Sequence, residues 1–173
     1  MTKEPLPKRK LIRLQDFDYS QNGMYFVTVC THNREKLLAD VVTVGADLCV
    51  RPNKAGLMVE RWLHLLSNKF QNVKLDYYCI MPNHIHFLLF IHSDCATGGH
   101  TGPPLQEVMK WLKTQTTNEY IKMVKKGILK PFDKYVWQRS YFEHIIRNEN
   151  DLYETRKYIN DNPRKWVLDK YYR

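Results

Sequence analysis

Two histidines separated by one residue open an apolar run, "MPNHIHFLLF", Met81 to Phe90. On a strand, residues i and i+2 share a face about 6.5–7 Å apart, so His84 and His86 can converge on one metal ion. A metal held there would be a Lewis acid able to polarise a phosphoryl oxygen. Taken alone, His-x-His fits a pair of satisfied core histidines as well as a ligand pair. A third group comes from "YETRKYINDNP", where Tyr158 and Asn162 stand four residues apart on one helical face. A tyrosine hydroxyl is a competent covalent nucleophile, and Asn162 can offer a carbonyl oxygen to a metal. The structural reading is open beside this one. A tyrosine on an amphipathic helix is commonly core, and an Asn before Pro163 is a common helix stop, a position where proline disfavours helical geometry.

The elements that would have to position these groups follow from periodicity. The β-branched and aromatic stretch "GMYFVTVCTHN" predicts a strand over Tyr25–Thr31. "NKAGLMVERWLHLLSNKF" carries Met58, Trp62, Leu65, Leu66 and Lys69 or Phe70 at helical spacing. "VKLDYYCIM" and "HIHFLLFI" read as two strands, joined into a hairpin by the turn chemistry of Pro82-Asn83. In "PPLQEVMKWLKTQTTNEYIKMV", Leu105, Val108, Leu112 and Thr116 share one face of a second helix. "KYVWQRSYFEHIIR" reads as a fourth strand. "NENDLYETRKYIND" reads as a helix capped by Asn148 or Asn150 and ended at Pro163. The order β-α-β-β-α-β, then α, is an α+β, ferredoxin-like antiparallel sheet with an added C-terminal helix carrying Tyr158. The whole chain reads as one domain with residues 1–12 a flexible basic arm.

Lys and Arg number 27 against 18 Asp and Glu, a net charge of +9, which favours a polyanionic partner, most simply nucleic acid. Aromatic residues make up 13% of the chain and suit the faces of unpaired bases. Lys110, Trp111 and Lys113 lie on the second helix opposite its apolar face. They could follow phosphates and stack a base, or form an ordinary solvated face. Trp137, Arg139 and Arg147 fall near the tyrosine helix. The two arginines suit phosphate contacts, whereas Trp137 fits the core equally well. His144 could touch substrate or be a satisfied core histidine. Lys8, Arg9, Lys10 and Arg13 of the arm could grip a DNA hairpin by charge. The four cysteines, Cys30, Cys49, Cys79 and Cys95, form neither a CxxC nor a zinc-knuckle spacing and read as reduced thiols. No apolar run spans a bilayer, and the start "MTKEPLPKRK" lacks the apolar core of a signal peptide, so a soluble, cytoplasmic protein without membrane contact is expected.

Three segments, "YFVTVCTHNR", "YCIMPNHIHFLLF" and "VWQRSYFEHIIRNENDLYETRKYINDNP", together resemble the single-tyrosine HUH transposases. The nearest branch is the REP-associated tyrosine transposases, whose targets are small palindromic repeats. The likeness runs from about Arg13 to Trp166, in the expected order. It implies that His84-Ile85-His86 is the HUH element, that Tyr158 is the nucleophile and that Asn162 is the third metal ligand. It further implies a divalent cation, Mg²⁺ or Mn²⁺, and single-stranded or hairpin DNA as partner. The implied chemistry is attack of tyrosine on a phosphodiester, leaving a 5′-phosphotyrosine and a free 3′-OH. Mg²⁺ prefers all-oxygen ligands, so two histidines lean toward Mn²⁺ or Zn²⁺. A monomer using its own tyrosine and a homodimer exchanging its tyrosine helix are both compatible with the sequence. Two other functions fit the same residues: a non-catalytic module that binds hairpin DNA or RNA, and a metal-dependent phosphoesterase that uses water.

Two polar stretches interrupt the plan and read as loops, "VGADLCVRP" (Val44 to Pro52) and "ATGGHTGPPL" (Ala96 to Leu105). Permitted codons for Gly98 to Leu105, GGC GGA CAC ACA GGT CCG CCC CTG, have a reverse complement that in a shifted frame encodes Gly45 to Arg51 and permits Pro52. The gene is therefore expected to carry a sequence and its inverted copy, one in each loop.

Overall fold

The computed structural model describes residues 23–44, 47–92 and 105–172. The basic arm, Arg13 and Cys95 lie outside these residues. In chain order the elements are β1 (Gly23–Cys30), β2 (Ala39–Val44), β3 (Asp47–Pro52), α1 (Lys54–His64), α2 (Leu66–Lys69), β4 (Val73–Met81), β5 (His84–Ile91), α3 (Leu105–Lys125), β6 (Phe142–Ile146) and α4 (Glu149–Asp161). Four strands form one sheet in the order β4-β5-β1-β6, with every adjacent pair antiparallel. Setting aside the β2–β3 hairpin, this is the ferredoxin-like sheet expected from the element order, with α4 added at its end.

Both faces of the sheet are covered, which explains why β5 reads as a continuous apolar run rather than an alternating one. Tyr25, Val27 and Val29 of β1 and Ile85, Phe87, Leu89 and Ile91 of β5 point to one face. There they pack with Val59 and Leu63 of α1 and Val108 and Leu112 of α3. Phe26 of β1, Cys79 and Met81 of β4 and Leu88 of β5 point to the other, where Ile159 of α4 and Trp166 close over them. His84 and His86 belong by alternation to this second face, so the tyrosine helix and the histidine pair meet on one side of the sheet.

Three local expectations change. The stretch 44–52 is largely not a loop: Asp47–Pro52 is strand β3, paired with β2 in a separate two-stranded sheet. Valine at position 50 is buried against the α4 face, which gives the hairpin an apolar anchor that the surrounding Gly and Asp concealed. Only Phe142–Ile146 of the stretch 134–147 is strand; upstream of it Trp137 makes a single bridge to Thr31. The first helix breaks at Leu65, and its buried stripe runs through Ala55, Met58, Val59 and Leu63 rather than through Leu65.

The entry to α1 is tightly built. Asn53 caps it, its side-chain oxygen accepting from the Ala55 and Gly56 amides at 2.9 and 3.2 Å, while its amide donates to the Leu37 carbonyl. Gly56 faces the Leu38 carbonyl so closely that an added Cβ would collide with that backbone oxygen and press on Pro52 and Ile80. Gly56→Ala is therefore expected to destabilise the protein by about 1–3 kcal/mol, despite alanine's better helix propensity. A urea-unfolding midpoint at or above that of the wild type would show that this junction yields.

α4 begins at Asn148, whose side chain accepts from the Asp151 amide. It is tied to β4 by the bidentate pair of Arg156 with Asp76, at 2.8 and 3.0 Å. It ends at Asp161, where Pro163 turns the chain into a short 3₁₀ turn, Asn162–Arg164. No helix among the described residues is long and apolar enough to cross a membrane.

Candidate active site

His84 and His86 are fully buried, and their Nε2 atoms lie 3.0 Å apart. Each imidazole is held from behind through Nδ1. The Asn83 amide donates to the Tyr171 carbonyl at 2.9 Å, which turns its Oδ1 toward His84 Nδ1 at 2.8 Å. His84 therefore donates from Nδ1 and presents the lone pair of Nε2. Thr28 Oγ1 holds His86 Nδ1 at 2.8 Å, and Phe26 stacks on the ring with centroids 5.2 Å apart. Asn83 Oδ1 thus sets the tautomer of His84, and both backing groups set ring direction, as outer partners do in metal sites.

Burial is the main reason that both imidazoles stay neutral. It pushes His84 down to about 3, with help from the nearby Lys170 and Arg34 charges. Burial, then His84, then Lys170 push His86 well below the ordinary histidine range. Neutral nitrogens are the form that a cation requires.

Two oxygens complete the surroundings. Asp169 Oδ2 is 3.9 Å from His84 Nε2, its side chain buried although its backbone is not, and the ligand atoms of His84, His86 and Asp169 all fall within 4.8 Å of one another. Asp169 Oδ1 accepts from the Tyr171 amide, whereas Oδ2 has no hydrogen-bond partner. Asn162 is also buried, with its side-chain oxygen unpartnered. A buried carboxylate oxygen without a partner, facing two neutral imidazoles, is costly unless a cation is present. Metal–nitrogen bonds of roughly 2.1 Å at right angles place their ligand atoms about 3 Å apart, which matches the Nε2 pair. The donor set thus fits a divalent cation. Asp169 was not legible as a donor, because the tail "WVLDKYY" offers no spacing to either histidine.

Tyr158 reaches this centre from α4. Its hydroxyl lies 3.3 Å from His86 Nε2, its ring meets Phe26 edge-on, and it remains 40% exposed. Burial of the phenol pushes it up to about 12, Asn162 opposes this through a hydrogen bond, and Asp169 adds to it. The hydroxyl is therefore protonated at neutral pH. It opens onto a cleft of about 400 Å³ lined by Lys157, Asn162, Lys165, Asp169 and Lys170 among others.

The residues considered for DNA contact divide. Lys110, Arg139 and Arg147 are exposed. Trp111 does not face away from the core: it packs edge-on against Trp62 and Phe70 between α1 and α3. Trp137 is buried and donates its indole N–H to Thr116. His144 lies against Asp151, with both carboxylate oxygens 3.0 Å from its Nε2. Lys113 turns inward, donating to the carbonyls of Gln138, Arg139 and Ser140 at 2.8, 3.3 and 3.2 Å, and burial lowers it to about 8. Lys113→Ala is thus expected to cost about 1–2 kcal/mol of stability, since charged donors to carbonyls are strong. Lys110→Ala is expected to leave stability within about 0.5 kcal/mol and to reduce the salt dependence of DNA binding. Equal unfolding midpoints for the two variants would refute this division of roles.

The likeness of the chain to known proteins covers the histidine pair, Tyr158 and Asn162. A protein of Haemophilus influenzae described only as uncharacterized is 31% identical over 175 residues, spanning 95% of this chain and 93% of that one. A second protein from the same organism, classed as a REP-associated tyrosine transposase, is 27% identical over 86% of this chain and 74% of its own. The solved structure of a REP-associated tyrosine transposase bound to a REP hairpin has the same fold, with a TM-score of 0.58 at 19% identity, covering 91% of this chain and 76% of that one. The family model of IS200-like transposases matches residues 19–162, from just before β1 to the buried Asn162, and the chain belongs to that family.

Proposed function

We propose that this protein nicks single-stranded DNA at hairpin-forming repeats and transfers the strand through a covalent link to Tyr158. The observation that carries this reading is the approach of the Tyr158 hydroxyl to within 3.3 Å of a buried, neutral histidine pair. The oxygen of Tyr158 attacks phosphorus and the bond from phosphorus to the 3′ oxygen breaks. This leaves a 5′-phosphotyrosine and a 3′-hydroxyl; the phenol loses one proton and the leaving oxygen gains one. One phosphodiester is exchanged for another, so a 3′-hydroxyl can reverse the step without a nucleotide cofactor.

His84 and His86 would hold a divalent cation, Mn²⁺ or Mg²⁺, with Asp169 or Asn162 as the oxygen donor. A cation there supplies Lewis-acid polarisation of the phosphodiester and neutralises charge as the phosphorane forms. The chain's own groups do the positioning. Asn83 and Thr28 fix the imidazoles, Phe26 fixes the angle between His86 and the Tyr158 ring, and the Arg156–Asp76 pair seats α4 on the sheet. Such orientation accounts for much of the rate of an in-line displacement. Lys157, Lys165 and Lys170 around the cleft suit a phosphate backbone, and the net charge of +9 suits a polyanion.

The test is denaturing electrophoresis of the full chain after incubation with Mn²⁺ and a labelled single-stranded hairpin oligonucleotide. A labelled species at the mass of protein plus DNA is expected. Tight binding without that species, across a panel of hairpins, would leave a binding module in its place.

A further inference from the structure

We propose that the DNA hairpin recognised by this protein is written in its own coding sequence, once in each of the two segments that interrupt the ferredoxin-like core. This rests on the strand-transfer reading above and names its substrate. The eight residues Gly45-Ala46-Asp47-Leu48-Cys49-Val50-Arg51-Pro52 can be encoded as GGG GCG GAC CTG TGT GTC CGC CCC. The last three codons are the reverse complement of the first three, base for base, and the codons of Leu48 and Cys49 form the loop between them. A single strand with this sequence folds on itself, through a stem in which every pair but one is G·C.

The genetic code allows this for few residues. A glycine codon, GGN, can pair only with codons for Ser, Pro, Thr or Ala; position 52 is Pro. An alanine codon, GCN, can pair only with Cys, Arg, Ser or Gly; position 51 is Arg. An aspartate codon can pair only with Val or Ile; position 50 is Val. These partners leave no freedom. Val50 requires GAC at Asp47, Arg51 requires GCG at Ala46, and Pro52 requires GGG at Gly45.

The second segment must then satisfy bases that are already set. The complementary strand of the hairpin is GGGGCGGACACACAGGTCCGCCCC, with the same stem and the loop ACACAG in place of CTGTGT. Read from its third base it gives GGC GGA CAC ACA GGT CCG CCC, which is Gly98-Gly99-His100-Thr101-Gly102-Pro103-Pro104. The only choices left open by the stem are the codons of Leu48 and Cys49, and His100, Thr101 and Gly102 require CTG and TGT there. One such agreement could be absorbed by synonymous codons. The same bases meet three conditions at once: two peptides, in different frames on opposite strands, and perfect self-pairing.

The fold shows where a repeat of this kind survives within a gene. One copy lies between β1 and α1, where it supplies strand β3 of the separate hairpin sheet, and the other lies between β5 and α3. None of the four strands of the main sheet is interrupted, nor is α4 or the histidine pair. Connections accept inserted residues that strands do not. Reading in frame on either strand, the repeat has been accommodated twice. A strand-transfer enzyme whose substrate is a mobile hairpin is the agent expected to leave the same hairpin in both orientations within one gene.

Two measurements test this. The first is the nucleotide sequence of the gene, which must read GGG GCG GAC at Gly45–Asp47 and GTC CGC CCC at Val50–Pro52. A synonymous codon that breaks any of these pairs, such as GAT for Asp47, would count against the proposal, and several would overturn it. The second uses the full-length protein with Mn²⁺ and four labelled single strands. Two carry the stem with the loop CTGTGT or ACACAG in the gene's own flanking bases. Two keep these loops but exchange the two bases within each stem pair. At least one native hairpin is expected to bind about 10-fold or more tightly than its exchanged counterpart, because wrong base pairs each cost a protein–DNA site affinity, and to form the covalent species. Equal binding and equal adduct on native and exchanged stems would overturn this substrate while leaving strand transfer intact. Preferential binding of the native hairpin without any adduct would support the substrate and overturn the catalytic reading. No binding and no adduct on any strand would overturn both.

Discussion

Tyr158→Phe is expected to abolish the covalent protein–DNA species, by about 10³-fold or more, and to leave hairpin binding and stability nearly unchanged. The substitution removes one oxygen. That oxygen is the nucleophile in the proposed step, and no neighbouring group can replace it in a covalent link. The ring stays, so the edge contact with Phe26 remains and α4 keeps its seat. Tyr158 is partly solvent-exposed and its hydroxyl meets His86 Nε2 only at 3.3 Å, beside the Asn162 side chain, so loss of the oxygen should change stability by no more than about 0.5 kcal/mol. Two other tyrosines make the experiment discriminating. Tyr153 lies on the same helix at 62% exposure, without a contact to the histidines. Tyr171 is a true rival, with its ring centroid 4.7 Å from that of His84 and 6.0 Å from that of His86. Tyr153→Phe and Tyr171→Phe should both still form the adduct. Survival in Tyr158→Phe with loss in Tyr171→Phe would move the nucleophile to the C-terminal tail.

Much of this arrangement was legible in the residues. The His-x-His spacing on a strand, the strand-turn-strand around Pro82-Asn83 and the capped helix carrying Tyr158 are local patterns, and each appears where the sequence puts it. The topology followed from element order. What could not be read locally depends on contacts distant in sequence. Asp169 enters the centre because the tail after Pro163 folds back over the sheet, which brings Tyr171 onto His84 and the Asp169 side chain beneath them. Nothing in "VLDKYY" announces that return. Lys113 appeared on the polar side of its helix, but the 138–140 carbonyls draw it inward. Trp111 reads from the sequence either as a base-stacking ring or as part of a solvated face, and α1 brings Trp62 edge-on against it. Long amphipathic side chains such as Lys and Trp follow whichever neighbour the fold supplies, so helical position alone does not settle their role. The β2–β3 hairpin was hidden by turn-rich residues, and its pairing is satisfied within the hairpin itself.

Removal of the donors at the centre should separate stability from function. His84→Ala is expected to weaken Mn²⁺ binding by roughly 10²-fold or more and to abolish the adduct. It deletes one of two convergent nitrogens and leaves a cavity that the Tyr171 carbonyl and the buried Asn83 amide cannot fill. Asp169→Asn makes the sharper case. The amide keeps an oxygen to accept from the Tyr171 N–H, but it removes a buried negative charge whose other oxygen has no partner. In the metal-free protein that charge is a liability, so Asp169→Asn should raise the unfolding midpoint, by about 1 kcal/mol of stability. With a cation bound, the same charge becomes favourable, and the substitution should weaken Mn²⁺ binding by about 10-fold or more. Because a ligand that binds only the folded state stabilises it in proportion to its occupancy, the order of stability should reverse as Mn²⁺ is added. The variant should be ahead without metal and the wild type ahead at saturating metal. Thermal unfolding across a Mn²⁺ titration measures this directly. If instead Asp169→Asn leaves Mn²⁺ affinity unchanged and Asn162→Ala lowers it, the oxygen donor is Asn162, and the buried Asp169 carboxylate serves to hold the tail over the histidines.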